Sequence, residues 1–363
     1  MLINRAYRYE LDPNVQQRIL LAKHAGAARF AYNWGLARRI ALYDESKQST
    51  NAIAQHKELN ALKKTEFPWM YEVSKCAPQE ALRNLDNTFR NFFRGIKEGR
   101  KVGFPRFKKK GSNDSCRFSK NIRVHDHHVQ LPRLGPVRLK EIPAVEGHIL
   151  SATVRREADR WFVSIAVEAE IPDPKPVDGP TVGIDVGLTT FATLSSGEKI
   201  DAPKPLAKAL RRLKRLSRRL SRKQKGSKNR KKAQMRLARL HRRIRNIRRD
   251  FLHKFTTELA KTKSVIVVED LNVKGMMRNH KLARYIADAS WSEMKRQLGY
   301  KTVWYGSRLV LADRWYPSSK LCSSCGHKMD KMPLHVRSWT CPKCGVIHDR
   351  DENASVNLDA LAF

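Results

Sequence analysis

The stretch Cys322-Ser-Ser-Cys325, followed by Cys341-Pro-Lys-Cys344 and His348-Asp349-Arg350-Asp351, decides how the C-terminal part of this chain folds. Each Cys-x-x-Cys loop offers two sulfur atoms on one side of an ion, and two loops separated by fifteen residues supply the four ligands of a tetrahedral zinc site. Gly326 and Gly345 follow the loops and permit tight turns. The alternatives are a redox pair or an iron–sulfur centre, but two loops of the same design favour a closed, structural zinc ribbon.

The net charge of the chain predicts a polyanionic partner. Lysine and arginine number 73 against 35 acids, which gives a formal net charge of +38 in 363 residues. A field this positive attracts nucleic acid. The length and a hydrophobic content of 41% allow two or three globular domains. Because the sequence has neither a run of about eighteen apolar residues nor the apolar core of a signal peptide, we expect a cytoplasmic protein without a membrane partner.

Patterns in the N-terminal half predict a β-domain that is interrupted by helices. Residues 1–12 alternate between apolar and polar side chains, as in a half-buried strand, and residues 13–98 repeat apolar side chains at helical spacing. Residues 99–178 contain short extended runs typical of a small β-barrel, including a hairpin formed by 149–155 and 161–167. The first strand would complete this barrel, so the helices would be an insertion. One helical stripe, interpreted as buried core, comprises Leu82, Leu85, Phe89, Phe92 and Ile96.

The C-terminal half predicts an α/β domain. Residues 181–185 and 191–194 have the composition of successive antiparallel strands, and residues 264–269 form a continuous apolar run of the buried kind. The zinc ribbon would be inserted before the last helix of this domain. The predicted bounds are 179–320 for the α/β domain, 321–345 for the ribbon and 346–363 for the last helix.

Three acidic residues lie where strand ends or helix starts could bring them together. Asp185 and Glu269 end runs that are otherwise apolar, and Asp351 follows the ribbon. For one such acid alone, a helix cap or a surface salt bridge is the simpler explanation. Together they indicate a cation site, because acids seldom end buried strands without partners. Carboxylates are ligands of Mg²⁺, and two such ions about 4 Å apart can hydrolyse a phosphodiester.

The segment 211–249 is the most basic part of the chain, with twenty lysines or arginines in 39 positions and no acid. Its leucines and isoleucines recur at helical spacing, which predicts two basic helices with a break near Gly226-Ser227. A charge run can simply be solvated, but twenty like charges repel one another unless a polyanion neutralises them. We therefore predict nucleic-acid contacts here. The candidate residues are Arg211, Arg215, Arg218, Arg222, Arg242 and Arg245.

Two further groups in the N-terminal half are candidates for nucleic-acid contact. Lys75 and Gln79 are four residues apart, so a helix that begins near residue 74 would place both on one face, where their polar groups could reach base edges. A role in starting the helix is the alternative. Arg106, Lys108 and Lys109 alternate with phenylalanines, a pattern that suits backbone contact and base stacking but also a barrel core.

Several of these motifs resemble those of the TnpB family, the RNA-guided nucleases of insertion sequences and relatives of the type V CRISPR effectors. The resemblance covers nearly the whole chain. The matching segments are Gly-Ile-Asp-Val-Gly at 183–187, Val-Glu-Asp-Leu-Asn at 268–272, the two Cys-x-x-Cys loops and Asp-Arg-Asp-Glu-Asn-Ala at 349–354. The resemblance implies a RuvC nuclease domain of the RNase H-like fold with the inserted zinc ribbon. It also implies that Asp185, Glu269 and Asp351 form a magnesium-binding catalytic triad.

The same resemblance implies an architecture for the N-terminal half and roles for its residues. It implies a WED β-barrel, made of residues 1–12 and 99–178, with residues 13–98 inserted as a REC-like helical lobe. Lys75 and Gln79 match positions that read a short motif beside the target. Asp270 and Asp349, the acids next to two of the triad positions, are the weaker candidates for metal ligation. The class is therefore a multidomain protein with α/β and β parts.

The function implied by the resemblance is that of an RNA-guided DNA endonuclease encoded by a transposable element. The implied cofactors are structural Zn²⁺, two Mg²⁺ ions and a guide RNA from the element's end, and the other partner is double-stranded target DNA. A prokaryotic cytoplasm with nucleoid association is expected, and a monomer is preferred. The alternatives are a catalytically silent RNA-guided regulator, which the intact acids disfavour, and a transposase that joins DNA ends, which the ribbon disfavours.

Overall fold

In the computed structural model, which describes residues 1–111, 113–333 and 335–363, the chain divides into two units. The N-terminal unit comprises Met1–Ile171 and the C-terminal unit comprises Pro172–Phe363. None of the helices in the described ranges combines the length and the apolar character that a bilayer-spanning segment needs.

The strands of the N-terminal unit form two sheets. The first sheet has the order β1-β7-β6-β2 with antiparallel pairing, and the second has the order β3-β4-β5. The predicted hairpin is confirmed as β6 and β7, and the first strand pairs with it from Leu2 opposite Glu170 to Leu11 opposite Trp161. The strands are β1 (Leu2–Leu11), β2 (Ser115–Phe118), β3 (Arg123–His125), β4 (His128–Leu131), β5 (Gly135–Arg138), β6 (His148–Glu157) and β7 (Arg160–Glu170).

The prediction of a closed β-barrel is wrong for the described residues. A barrel needs every edge strand to pair with a neighbour. Here β3, β4 and β5 are three or four residues long and pair only with one another. A single bridge between Leu11 and Leu139 connects the region of this small sheet with β1. Among the described residues the two sheets therefore do not join into a closed barrel.

The helices of the N-terminal unit are inserted between β1 and β2. They are α1 (Val15–Ser46), α2 (Ala52–Leu62) and α3 (Cys76–Lys97), with a 3-10 turn at Pro68–Glu72. Asn14 caps α1 by accepting a hydrogen bond from the backbone N–H of Gln17, whose side chain caps in return. One apolar cluster contains side chains from α1, α3 and the larger sheet, including Leu21, Leu82 and Phe118. The helices therefore share a core with the sheet.

The predicted buried stripe of α3 is correct only for its first half. Leu82 and Leu85 are fully buried, whereas Phe89 and Phe92 are half-buried and Ile96 is 53% exposed. The period of the stripe is helical throughout, but the last turns of α3 extend beyond the apolar cluster that covers Leu82 and Leu85. An apolar face therefore remains accessible at the C-terminal end of this helix.

The C-terminal unit contains a mixed sheet with the order β10-β9-β8-β11-β12. The strands are β8 (Val182–Val186), β9 (Ala192–Leu194), β10 (Lys199–Ile200), β11 (Val265–Glu269) and β12 (Arg308–Ala312). The predicted antiparallel pair is confirmed as β8 and β9, and the predicted buried strand is confirmed as β11, which lies parallel to both β8 and β12.

Six helices and a hairpin accompany this sheet in the described part of the unit. The helices are α4 (Pro205–Ser221), α5 (Lys228–Thr262), α6 (Val273–Met276), α7 (Ala283–Ala289), α8 (Trp291–Tyr305) and α9 (Arg350–Asp359). The hairpin consists of β13 (Ser338–Thr340) and β14 (Ile347–Asp349) and leads directly into α9. The predicted break between the basic helices is confirmed, because α4 ends at Ser221 and Ser227 caps α5.

Strand β11 is apolar because both of its faces are covered. Ile266 and Val268 pack in the cluster that contains α5 and α8, whereas Val267 packs with Leu358 of α9 and its neighbours. The approach of α9 to β8 is very close at Gly183, where an added Cβ would lie 2.0 Å from the backbone oxygen of Ser355. The glycine at this position is thus required for helix packing.

Candidate active site and metal centre

The four predicted zinc ligands lie together. Their sulfur atoms are all within 4.8 Å of one another, and the Cys322–Cys344 and Cys325–Cys341 sulfur pairs are each 3.6 Å apart. A tetrahedral ion with Zn–S bonds of about 2.3 Å would place its sulfur ligands roughly 3.8 Å apart. The sulfur geometry therefore fits zinc.

Both cysteine loops have the same backbone design. Gly326 and Gly345 donate their N–H groups to the carbonyl oxygens of Cys322 and Cys341, and each bond is 2.9 Å long. The two glycines have φ values of 72° and 76°, a left-handed conformation that is costly for residues with a side chain. The glycines in the sequence thus close the two turns that aim the sulfur atoms at one point.

Two asparagines connect the first cysteine loop to α9. Asn353 donates to the carbonyl oxygen of Leu321 at 2.7 Å and accepts from the backbone N–H of Ser323 at 2.9 Å. Asn357, one turn further along, donates to the carbonyl oxygens of Ser318 and Leu321 at 2.8 and 2.6 Å. Sequence reasoning missed this role. The available signal was the spacing of the two amides at i and i+4, which places them on one face of a helix.

His348 lies between the zinc ligands and the start of α9. Its Nε2 atom is 3.0 Å from the sulfur of Cys322, and its ring centroid is 4.8 Å from that of Trp339. His348 is 7% exposed, and burial lowers its pKa. A neutral ring with a proton on Nε2 would donate to a metal-bound thiolate, as partners of metal ligands commonly do.

Strand alternation places two of the three predicted carboxylates on the same face of the sheet. Val182 and Ile184 of β8 pack toward α5 and α8, so Gly183 and Asp185 lie on the opposite face, where Gly183 contacts α9. On β11, Val267 also faces α9, and Glu269 lies two residues further. Since these strands are adjacent and parallel, Asp185 and Glu269 are neighbours on the face that α9 covers.

The third carboxylate, Asp351, lies in the first turn of α9, and its charge acts on Asp185. The pKa of Asp185 is raised to about 7 by burial, by the negative charge of Glu269 and by that of Asp351. Arg350 and Arg337 oppose the rise but do not cancel it. The structure thus brings the three predicted acids together in a group whose negative charge Arg350 and Arg337 compensate only in part.

Neighbouring side chains orient the other two carboxylates. The Ser318 hydroxyl donates to Oε1 of Glu269 at 2.7 Å, and Arg337 Nη1 lies 3.3 Å from Oδ1 of Asp351. Among the described residues, the four cysteines form the group whose ligand atoms all lie within 4.8 Å of one another. The three carboxylates form a looser set. The donor chemistry still fits Mg²⁺, because carboxylate oxygens with an excess of negative charge attract a hard cation.

The acids next to the triad positions have other partners. Asp270 pairs with Lys295 and with Arg314, which lies 2.7 Å away, and these cations lower its pKa. Asp349 caps α9 by accepting from the backbone N–H groups of Asp351 and Glu352, and it also pairs with Lys199 at 3.0 Å. Both acids therefore have structural partners among the described residues.

The predicted basic helices pack against each other through apolar side chains. Leu216 of α4 lies in one cluster with Leu240 and Ile244 of α5. The candidates on α4 and at its C-terminal cap are exposed, whereas the two on α5 are half-buried. The exposed candidates are Arg211, Arg215, Arg218 and Arg222, and the half-buried ones are Arg242 and Arg245.

The candidates in the N-terminal unit differ in their surroundings. Lys75, the residue that precedes α3, is exposed and lines a cavity of 770 Å³, whereas Gln79 is half-buried and lies outside the cavity lining.

Of the second group of candidates, Arg106 and Lys109 are exposed. The side chain of Asn33 accepts a hydrogen bond from the backbone N–H of Lys108 at 2.8 Å and donates one to its backbone carbonyl oxygen at 3.0 Å. The ammonium group of Lys108 lies 3.9 Å from the ring centroid of Tyr32. Lys108 therefore has a packing role as well.

Family models match three segments of the chain. The OrfB_IS605 model, described as "Probable transposase", matches residues 164–280 and a Cas12f1-like TNB domain matches residues 291–358. A helix-turn-helix domain model matches residues 1–48, although these residues form β1 and the single long helix α1 in the structure.

Similar proteins match along almost the entire chain. A protein of Streptomyces pristinaespiralis named "Putative RNA-guided DNA endonuclease" is 40% identical over 368 residues, which cover 99% of this chain and 90% of that protein. This chain belongs to the TnpB (OrfB) family. The Escherichia coli K12 protein named "Putative RNA-guided DNA endonuclease InsQ" is 32% identical over 376 residues, or 98% of this chain and 91% of that protein. The family resemblance predicted from the motifs is confirmed.

A solved structure shares the fold of this TnpB-family chain. The structure described as "Cryo-EM structure of the Cas12f1-sgRNA-target DNA complex" is 15% identical, with a TM-score of 0.58 over 99% of both chains. The chain therefore has a Cas12f-like multidomain α/β fold with a TNB domain that contains the four-cysteine cluster.

Proposed function

We propose that this protein is an RNA-guided DNA endonuclease that cuts target DNA beside a short flanking motif. The observation that carries the proposal is the group of three carboxylates, in which Glu269 and Asp351 help to raise the pKa of Asp185 to about 7. A half-buried acid beside two other acids is costly unless cations neutralise it, which supports a catalytic metal site over a purely structural role.

In this proposal Asp185, Glu269 and Asp351 hold two Mg²⁺ ions in a RuvC-type site. Bound ions of this kind lower the pKa of an attacking water and stabilise the leaving oxygen of a phosphodiester. Ser318 fixes one oxygen of Glu269, which leaves the other available as a ligand. Arg337 neutralises Asp351 in the absence of cations and would release it when they bind.

The zinc ribbon would position Asp351 without taking part in the chemistry. Four cysteine ligands leave no open coordination position on the ion, which is the design of a structural site. Asn353 and Asn357 bond the first cysteine loop to α9, and β14 leads into the same helix. The ribbon thus contributes to holding the helix that carries Asp351.

The basic surface formed by α4 and α5 would hold guide RNA from the end of the element. It would also hold the duplex between this guide and the target DNA. The exposed arginines of α4 are suited to phosphate contacts, and the half-buried pair on α5 to a smaller number of them. Base pairing with the guide would then supply most of the sequence specificity. We assign residues 13–98 to a REC-like lobe, 1–12 and 99–178 to a WED-like part and 179–320 to the RuvC-like domain.

The flanking motif would be read in the N-terminal unit near Lys75. This residue lines the 770 Å³ cavity together with amide side chains such as Asn60, Asn121 and Gln130, which can bond base edges. Gln79 follows one turn later on α3 and would contact the motif at the rim. We further propose a monomeric protein of a prokaryotic cytoplasm that is associated with the nucleoid.

The test is to copurify the protein with RNA from its native locus and to incubate the complex with plasmids that carry a randomised flank beside the target. In Mg²⁺ we expect guide-dependent cutting of plasmids that share one flanking motif. Asp185→Ala should lose this cutting, while Asp250→Ala should retain it because Asp250 is an exposed acid on α5 that pairs only locally with Lys254.

The same experiment distinguishes the alternative functions. Guided binding without cutting would replace the proposal with a silent regulator. Joined DNA ends would support the transposase that the description of one family model suggests.

A further inference from the structure

We propose that an aromatic cleft in the N-terminal unit binds an unpaired nucleobase of a single-stranded nucleic-acid segment. The cleft is a cavity of 510 Å³ between the C-terminal part of α1 and the exposed end of α3. The inference rests on the proposed function only in taking nucleic acid as the partner. The residues that matter for the argument are Tyr43, Asp44, Phe89, Phe92, Phe93 and Phe104.

The phenylalanines form one connected group. Phe104 meets the rings of Phe89 and Phe92 edge to face, with centroids 5.7 and 5.5 Å apart. Phe93 packs against Phe92 at 5.3 Å and is nearly parallel to Phe89 at 6.2 Å. The inner rings thus support Phe93 from one side. Such a supported ring is a stacking platform for another flat group.

The outer rings of this group are accessible. Phe93 is 61% exposed, Phe104 is 49% exposed and Tyr43 is 57% exposed. Isolated exposed apolar residues are common, but several aromatic side chains around one cavity usually mark a binding site. The volume of the cleft lies within the range of about 300–1,000 Å³ that is typical of small-molecule sites.

The wall that carries Phe104 is held in place by the backbone. After α3 the chain turns back at Gly99, and the N–H of Arg100 donates to the carbonyl oxygen of Gly95 at 2.8 Å. Val102 then packs so closely on Gly95 that an added Cβ would lie 2.5 Å from it. The segment that carries Phe104 is therefore attached to α3, and these contacts fix the wall of the cleft.

The segment that supplies the four phenylalanines of the cleft is strongly cationic, which favours a polyanionic partner; the lining itself holds one cation, Arg39, and one acid, Asp44. Residues 87–110 contain five phenylalanines and nine lysines or arginines but only one acid. Aromatic rings interleaved with cations are suited to single-stranded nucleic acid, because the rings stack on bases and the cations contact the backbone. A second copy of the chain would bring the same positive charge to this face and would be repelled.

The lining of the cleft also supplies polar groups. Asp44, Gln48, Ser49 and Thr50 line it and offer both donors and acceptors of hydrogen bonds. An apolar platform with a few convergent polar groups suits the face and the edge of a base. A base within a duplex cannot enter, since both of its faces are stacked, so the segment must be unpaired.

The test uses the full chain with short single-stranded RNA or DNA that contains one 5-iodouracil base, followed by ultraviolet cross-linking and mass spectrometry. We expect a cross-link to Phe93 or Phe104. Phe93→Ala should lower the yield of cross-links within the cleft roughly 5- to 100-fold, as expected for the loss of one stacking platform, while Phe93→Trp retains it. A higher yield with RNA than with DNA would identify the guide strand as the source, and the reverse would identify DNA.

The matched control is Ile53→Ala, because Ile53 is 83% exposed on α2 and does not line the cleft. Cross-links found only in α4 and α5 would overturn the proposal. Formation of dimers that Phe93→Ala abolishes would overturn it too, since the cleft would then bind a second copy. Cross-linking needs no cleavage, so an Asp185→Ala background separates the outcome from the nuclease proposal.

Discussion

The two groups of candidate metal ligands differ in how complete they are before an ion binds. The four cysteine sulfurs already lie within 4.8 Å of one another, and two of the sulfur pairs are 3.6 Å apart. The three carboxylates are a looser set, and their mutual repulsion helps to raise the pKa of Asp185 to about 7. The closed set of four sulfurs therefore suits an ion that is retained permanently, whereas the mutual repulsion of the carboxylates suits exchangeable cations.

The two sites are connected by one helix. Asp351 lies in the first turn of α9, and Asn353 and Asn357 of the same helix hold the first cysteine loop. Loss of the cysteine site should therefore affect the carboxylate site, whereas loss of the carboxylate site should leave the cysteine site intact. This asymmetry can be tested from both directions.

Zinc removal should have the largest effect. Without the ion the ribbon loses its main source of stability, because a structural zinc contributes on the order of 10 kcal/mol in small zinc domains. A zinc-selective chelator, with Mg²⁺ retained, should abolish cleavage of target DNA, and added Zn²⁺ should restore it. Full activity in protein shown to be zinc-free would contradict the dependence of Asp351 on the ribbon.

Asp185→Ala should also abolish cleavage, but it should leave the cysteine site intact. Loss of one metal ligand removes several kcal/mol of transition-state stabilisation, so we expect a decrease of at least about 1,000-fold in the cleavage rate. The zinc content, measured by elemental analysis, should remain at one ion per chain. Asp270→Asn, at a neighbouring acid that pairs with Lys295 and Arg314, should reduce the rate far less. Equal losses in the two variants would refute the assignment.

Asp185→Asn should stabilise the protein in Mg²⁺-free buffer. The pKa of Asp185 is raised from 3.8 to about 7 in the folded state, so the folded protein binds more protons than the unfolded chain between about pH 4 and 7. Stability is therefore lost as the pH rises through this window, and the full penalty above pH 7 is at most about 4 kcal/mol.

Urea denaturation at two pH values measures this penalty. The free energy of unfolding of Asp185→Asn should exceed that of the wild type by more at pH 8.5 than at pH 5.5, and Mg²⁺ should stabilise only the wild type. If the two proteins unfold alike at both pH values, Asp185 does not experience the charge of Glu269 and Asp351.

The contrast between the two sites also shows how much of each site could be predicted from the sequence. The cysteine site and the break near Gly226 follow from local spacing and turn chemistry, which a sequence displays directly. That Asp185 and Glu269 share a face depends on the parallel pairing of β8 with β11, which joins segments about 80 residues apart. The positions of the acids at the ends of apolar runs indicated that they could meet, and the family resemblance implied that they form one site.

Two errors in the N-terminal unit have related physical causes. Short extended runs suggested a closed barrel, but β3 to β5 pair only among themselves, since alternation predicts strands and not their partners. The stripe of α3 has a helical period up to Ile96, but period identifies a face and not the point where the core ends. Two residues of that stripe, Phe89 and Phe92, line the aromatic cleft.

Asn353→Ala should weaken the connection between the two sites. The variant leaves the carbonyl oxygen of Leu321 with one donor fewer and the N–H of Ser323 without its acceptor, which should cost about 1–3 kcal/mol in the free energy of unfolding. Cleavage should decrease while zinc remains bound. Asn246→Ala on the exposed surface of α5 is the control and should change neither property. Unchanged cleavage in Asn353→Ala would show that α9 holds Asp351 without the ribbon.

His348→Ala should have the smallest effect and should act on the cysteine site alone. The Nε2 atom of His348 lies 3.0 Å from the sulfur of Cys322, and a proton on that nitrogen would stabilise the metal-bound thiolate. Loss of such a partner typically weakens metal binding about 10- to 100-fold. Competition with a chromogenic chelator measures the zinc affinity directly.

With zinc in excess, the cleavage rate of His348→Ala should return to that of the wild type, because Asp349, and not His348, caps α9. A defect that persists in saturating zinc would instead mean that His348 positions the helix that carries Asp351.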